Sequence, residues 1–328
     1  TVGAYEKVVN ALDAKAIFNY GTFTMKSGEI TDNTGDYPTI TNSGTFTMLD
    51  GRITANENDF STQGGNGCGT IYQRRYDIND PDVKQPVFTM SGGEISRNKA
   101  MYNGGGVYLA DGTFTMDGEN AVIRDNTVTS KGNEDSLNIQ YFNNGGGIFV
   151  QSGTFELKNG TIEGNKAYLQ TENAAQKQAF NGGKWYYNSN GTPSETGGQA
   201  IGSGNGSNKH YGLGAAIYIG SGTLKLSGGN VNGNLSAPLN KDATQPAFKA
   251  ASGIYVAGEG VVEMSGSPVI SDVIYLEKGK NLAIGMGRVD KDDIDAILNE
   301  LPRERVAINF ICEKPEEAME LIEYMDGK

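Results

Sequence analysis

One phrase recurs seven times along this chain of 328 residues. A Gly-Thr-Phe-Thr-Met segment or a close variant is followed by a Gly turn, then by an aliphatic residue three places before an Asn. The copies occupy residues 21–33, 44–56, 86–98, 112–126, 153–165, 222–234 and, more worn, 260–272. A unit this short cannot bury its own apolar face, so it must stack on its neighbours, and stacking of repeats dictates the architecture. Within each copy residues alternate in character, as in a strand whose i and i+2 side chains share a face. In the clearest copy Phe114 and Met116 are expected inward and Thr113 and Thr115 outward, while in the preceding Gly-Gly-Gly-Val-Tyr-Leu strand Val107 and Leu109 oppose Tyr108.

Aligning the copies predicts four ladders. The first runs Phe23, Phe46, Phe88, Phe114, Phe155, Leu224, Val262, and the second Met25, Met48, Met90, Met116, Leu157, Leu226, Met264. The third is Ile30, Ile53, Ile95, Ile123, Ile162, Val231, Val269. The fourth is polar: Asn33, Asn56, Asn98, Asn126, Asn165, Asn234 and then Asp272. Like-on-like stacking implies strands that pair one coil apart, about 4.8 Å away. The Asn ladder reads as an amide stack that satisfies the backbone at a tight bend. The predicted fold is all-β, a right-handed parallel β-helix of about seven to eight coils. It would span residues 1–285, opened by a short helix over residues 5–16. Residues 286–328 would form a small α/β cap, with helices over 290–301 and 315–325 around a strand over 305–311. Such a cap would cover the open, aggregation-prone edge.

The two motifs Gly-Gly-Gly-Val107 (or Gly-Gly-Gly-Ile148) and Ile95-Ser96-Arg97-Asn98 carry a resemblance. The chain resembles the right-handed parallel β-helix superfamily that includes pectate lyases. Its motif pair is similar to the Gly-Gly-Ala-Ile and Phe-x-x-Asn repeats of bacterial polymorphic outer-membrane proteins and related surface adhesins. The resemblance covers roughly residues 14–285, and an aliphatic residue stands where that family has Phe. It implies a secreted or cell-surface bacterial protein, extracellular in location, with a host or environmental glycan or protein as partner. It also raises a second class, a polysaccharide lyase or glycoside hydrolase, whose relatives carry clustered Asp residues.

Charge and composition narrow the field. A net charge of −12 and a pI near 4.7 argue against nucleic-acid binding. The 47 Gly show no period of three and sit at turns. No apolar run reaches membrane-spanning length, so no membrane insertion is expected of this chain. Cys68 and Cys312, far apart, read as buried thiols rather than a disulfide.

Insertions point to one flank. The spacers after the bend Asn residues all leave at one corner, and the longest, after Asn165, carries Trp185, Tyr186, Tyr187, Glu195 and His210. Another excursion covers residues 73–85. Beside them runs an outward aromatic line: Tyr72, Tyr108, Phe149, Tyr218 and Tyr255, with Phe18 as its candidate start. The line is read as a second core beneath the insertions, as a sugar- or peptide-binding platform, or as a self-association surface. The candidate ligand-binding residues are Tyr108, Phe149, Trp185, Tyr186, Tyr187 and Tyr218.

Catalytic chemistry is sparse. The outward positions Asp111, Gln151, Ser221 and Glu259 make no acidic cluster on consecutive coils, and Glu29 and Glu94 flank Arg52 as solvated charge alternation. If the chain is an enzyme, Asp111, Glu195 and the lone His210 are its tentative participants. Asp77, Asn79, Asp80 and Asp82 form an oxygen-rich run of the kind calcium takes, although the spacing suits an ordinary turn better than an ion loop. No other cofactor is implied. The leading reading is a non-catalytic adhesin-like module.

Overall fold

The computed structural model describes residues 16–58, 69–77, 79, 83–101, 103–129, 144–167, 213–234, 252–257 and 259–276, together with short strands at 7–8, 179–181, 184–187, 199–200 and 282–284. Three eight-stranded sheets run along it, and every strand in them is parallel to its neighbours. In sequence each coil visits a strand of the aromatic sheet (such as Val107–Leu109), then one of the Phe–Met sheet (Thr113–Met116), then one of the Ile sheet (Ala121–Arg124). A short fourth sheet, Thr34–Gly35, Glu57–Asn58, Lys99–Met101, Thr127–Thr129 and Lys166–Ala167, follows the bend Asn in five successive coils. This is an all-β stack of parallel sheets with the element order of a solenoid.

The register reproduces the Phe and Met ladders rung for rung: Phe23↔Phe46↔Phe88↔Phe114↔Phe155↔Leu224↔Val262, and Met25 through to Met264. Phe is the second residue of each of these strands, so Phe46, Phe88 and Phe114 stack nearly parallel, with centroids 4.5 and 4.3 Å apart. That spacing is close to the strand separation itself, which is why a planar side chain fits every rung. All three rings are fully buried within one continuous apolar core.

The Ile ladder holds until the last coil. There Val231 pairs with Ile270, not with Val269, and Val269 is exposed. The cause lies at the bend. In the earlier coils the residue just before the Asn has a left-handed φ: Asp32, Ala55, Arg97, Asp125, Gly164 and Gly233. Ser271 does not, so the last coil lacks that bend residue and its aliphatic rung moves one place toward Asp272.

The polar ladder runs as the spacing predicts. At each rung the Asn backbone N–H and side-chain Nδ2 both donate to the Oδ1 of the next Asn, as between Asn98 and Asn126 at 3.1 and 2.9 Å. Nδ2 also donates to the carbonyl of the aliphatic residue in the coil behind, Asn98 to Ile53 and Asn126 to Ile95. Each buried amide thus closes two coils and the bend between them. Asp272 takes the final rung, accepting both donors of Asn234 on one carboxylate oxygen.

At the start of the chain, Lys7–Val8 is a strand paired with Glu29–Thr31 in the Ile sheet, where a helix was expected over residues 5–16. An edge strand with free donors recruits chain by backbone pairing, and that outcompetes the local preference for a helix. Cys68, Cys312 and the expected helices and strand over residues 290–325 lie outside the described residues.

Candidate functional site

The aromatic sheet presents alternate residues to the core and to the outside. Outside, the register sets Phe18, Thr41, Tyr72, Tyr108, Phe149, Tyr218, Tyr255 and Tyr275 in one column. From Tyr72 onward the rings touch in series, with centroid separations of 4.8 to 5.5 Å. Tyr108 is 5 % exposed, Phe149 9 % and Tyr255 2 %, and Tyr218 is half-buried. Leu213 and Ala257 pack with Tyr218, Tyr255 and Tyr275 as a second apolar cluster, separate from the interior. Tyr108 Oη donates to Gln151 Oε1 at 2.8 Å. Along this stretch the rings pack against one another, and a ligand could reach Tyr108 or Phe149 only by displacing what covers them.

The column opens at its beginning. Phe18 is 47 % exposed, Tyr20 55 % and Tyr76 61 %. Phe18 and Tyr20 are stacked at 5.8 Å, and Tyr20 meets Tyr76 edge to face at 4.9 Å. The Arg74 guanidinium stands 5.8 Å above the Tyr72 ring. Tyr20 and Arg74 each follow the amide that ends its aromatic-sheet strand, Asn19 and Gln73, and Ser43 follows Asn42 in the coil between. Sequence reading missed Tyr20, Arg74 and Tyr76 as a group, because they lie in turns whose facing neighbours become apparent only when three coils are laid side by side. The common offset of Tyr20, Ser43 and Arg74 from Asn19, Asn42 and Gln73 was the available signal.

Those three amides make a second internal ladder, also missed. Asn19 Nδ2 donates to Asn42 Oδ1 at 2.8 Å, Asn42 Nδ2 to Gln73 Oε1 at 3.0 Å, and Gln73 Nε2 to the Thr113 carbonyl at 2.9 Å. The same inward position is Leu109, Val150 and Ile219 in later coils, so this corner of the interior is polar only behind the exposed aromatics.

Of the candidate catalytic and metal-ligating residues, Asp111, Asp77 and Asn79 are among the described residues. Asp111 Oδ2 accepts from Arg75 Nε and its terminal nitrogen, each at 3.0 Å, and Oδ1 accepts from the Gly112 backbone N–H. Its carboxylate is engaged in holding the 73–85 excursion to the turn. Glu29 pairs with Arg52, and Glu94 pairs with Arg124 at 3.0 Å, as partly exposed charges on the Ile sheet. Asp77 Oδ1 accepts the Asn79 N–H at 2.9 Å, an Asx turn. Among the described residues no three His, Cys, Asp or Glu side chains converge on a metal site. Asp80, Asp82, Glu195 and His210 lie outside the described residues. Trp185, Tyr186 and Tyr187 belong to the central strand, Lys184–Tyr187, of a three-stranded antiparallel sheet with Ala179–Asn181 and Gln199–Ala200.

Comparison with protein-family models, with curated proteins and with solved structures finds no match for this chain.

Proposed function

We propose that this chain is a right-handed parallel β-helix of seven to eight coils, of the pectate-lyase-like kind, with a small C-terminal α/β cap. It serves as a non-catalytic, adhesin-like binding module, secreted or displayed on a bacterial surface. Its partner is a glycan or protein engaged along the outside of the aromatic sheet and its insertions, with Trp185, Tyr186 and Tyr187 on the longest of them. The observation that carries this reading is the aromatic column, buried at Tyr108, Phe149, Tyr255 and Tyr275 and half-buried at Tyr218, but open beside Phe18, Tyr20 and Tyr76. Exposed rings in contact are costly in water unless used. Against catalysis stands the engagement of Asp111 by Arg75 and Gly112, which gives this carboxylate a structural task in the turn.

The test pairs two assays on the whole chain. Glycan and protein arrays measure binding, while a panel of neutral and acidic polysaccharides is scored for new reducing ends or unsaturated products. Binding without turnover is expected. Turnover abolished by Asp111→Ala or Glu195→Ala would replace the binding module with a lyase or hydrolase.

A further inference from the structure

The opening of the aromatic column contains a gap. In the second coil the outward positions are Thr41 and Ser43, facing Phe18 and Tyr20 on one side and Tyr72 and Arg74 on the other. Two small hydroxyl side chains thus sit between two rungs of large ones. Both are buried, Thr41 at 4 % exposure and Ser43 at 8 %, and neither hydroxyl has a hydrogen-bond partner. A buried hydroxyl without a partner forfeits the hydrogen bonds it would make in water, and such groups call for an explanation. Both of these hydroxyls fall in this one gap.

The groups around it have complementary chemistry. Phe18, Tyr20 and Tyr76 offer exposed ring faces and edges, and apolar faces of sugar rings stack on such surfaces. Arg74 is exposed, and among the described residues no carboxylate pairs with it, so its N–H donors remain for a ligand. We propose that this corner is a subsite for a neutral glycan. Sugar rings stack on Tyr20, Tyr76 and Phe18, Arg74 donates to hydroxyls at the rim, and the Thr41 and Ser43 hydroxyls take the hydrogen bonds they lack once the exposed rings part. The inference rests on the reading of the chain as a binding module, but its site is separate from the insertion that carries Trp185. Charge decides for a neutral ligand. A chain of net charge −12, with exposed Asp77 at this corner, repels a polyanion, and the single Arg74 does not offset that.

The experiment titrates the whole chain with neutral oligosaccharides derived from cellulose, starch, mannan and galactan, and with polygalacturonate and hyaluronan as acidic counterparts. The expected result is saturable binding of a neutral glycan that persists in high salt. Tyr20→Ala and Tyr76→Ala should each weaken it about tenfold, with Trp185→Ala leaving it in place. Thr41→Val and Ser43→Ala add a readout that a purely structural role would not move. Each should weaken binding about fivefold while leaving the melting temperature unchanged or raised, since each removes an unpartnered hydroxyl. Binding of acidic polymers alone, lost in salt, would overturn the ligand class. Neutral binding indifferent to Tyr20 and Tyr76 but lost on Trp185→Ala would overturn the site and leave the binding module standing. Glycan-array silence would overturn the proposal, and a hit on the protein array would then keep the wider reading alive.

Discussion

Ala55 and Arg97 hold left-handed backbone angles, φ 55° and 52°, at a bend where Gly164 and Gly233 serve in later coils. A β-carbon is strained there, and Asp32 and Asp125 ease the strain with side chains suited to that region, whereas Ala has no such means. Ala55→Gly should therefore stabilise the fold by about 0.5–1 kcal/mol despite the added freedom of the unfolded chain, read as a raised midpoint in chemical denaturation. A lowered midpoint would show that the bend tolerates Ala without strain. Asp272 gives a second residue-scale prediction. Burial raises its carboxyl pKa above the ordinary 3.8, against the opposing hydrogen bonds from the Asn234 side chain and from the backbones of Asn234 and Gly233. A raised folded value means the folded state favours the protonated acid. That contribution is complete below the unfolded pKa and is lost as pH rises through the folded one. Asn at this position accepts the same two bonds without charge, so Asp272→Asn should raise the melting temperature at pH 7. The gap to the parent should narrow as pH falls toward 4. A gap independent of pH would refute the link to ionisation.

Ladders behave as elements in their own right, and their interior rungs should cost most to break. Asn126→Ala removes the acceptor of both the backbone and side-chain donors of Asn98 and the donor to the Ile95 carbonyl, in a fully buried site. A loss of about 3 kcal/mol is expected from equilibrium unfolding. Phe114→Ala opens a cavity between Phe88 and Phe155 and should cost about 3–5 kcal/mol, while Thr115→Ala on the opposite face of the same strand should stay within about 0.5 kcal/mol. Equal costs would mean the strand's two faces are not distinguished by burial. The Phe and Met rungs were legible in the sequence because a strand's side-chain period is two and every coil repeats it. Val269 shows where that legibility ended: a bend residue dropped from one coil shifts the rung, and spacing to the polar ladder alone cannot tell a shifted strand from a shortened corner.

At the scale of the whole molecule, each coil touches chiefly the coils on either side, so stability accrues from neighbour to neighbour along the stack. Amide hydrogen exchange should be slowest in the middle strands, Val87–Met90 and Thr113–Met116, and faster in Thr22–Met25 nearer one end, where Phe23 retains some exposure. Uniform protection would indicate a single cooperative unit instead. The candidate site also belongs to this scale. Phe18, Thr41 and Tyr72 are adjacent in space yet separated by the full length of a coil, and Tyr76 reaches Tyr20 across two of them.

The amino-acid sequence by itself determined the parallel stack, the inward ladders and the amide spine, because those follow from alternation and repeat, which are local and periodic. Tertiary structure alone decided which outward aromatics are covered. Tyr108 and Tyr20 are both tyrosines on or beside the same sheet, but one lies in a packed column while the other stands in solvent. The difference is set by what the neighbouring coils and turns place over each ring, and no periodicity in the chain encodes that.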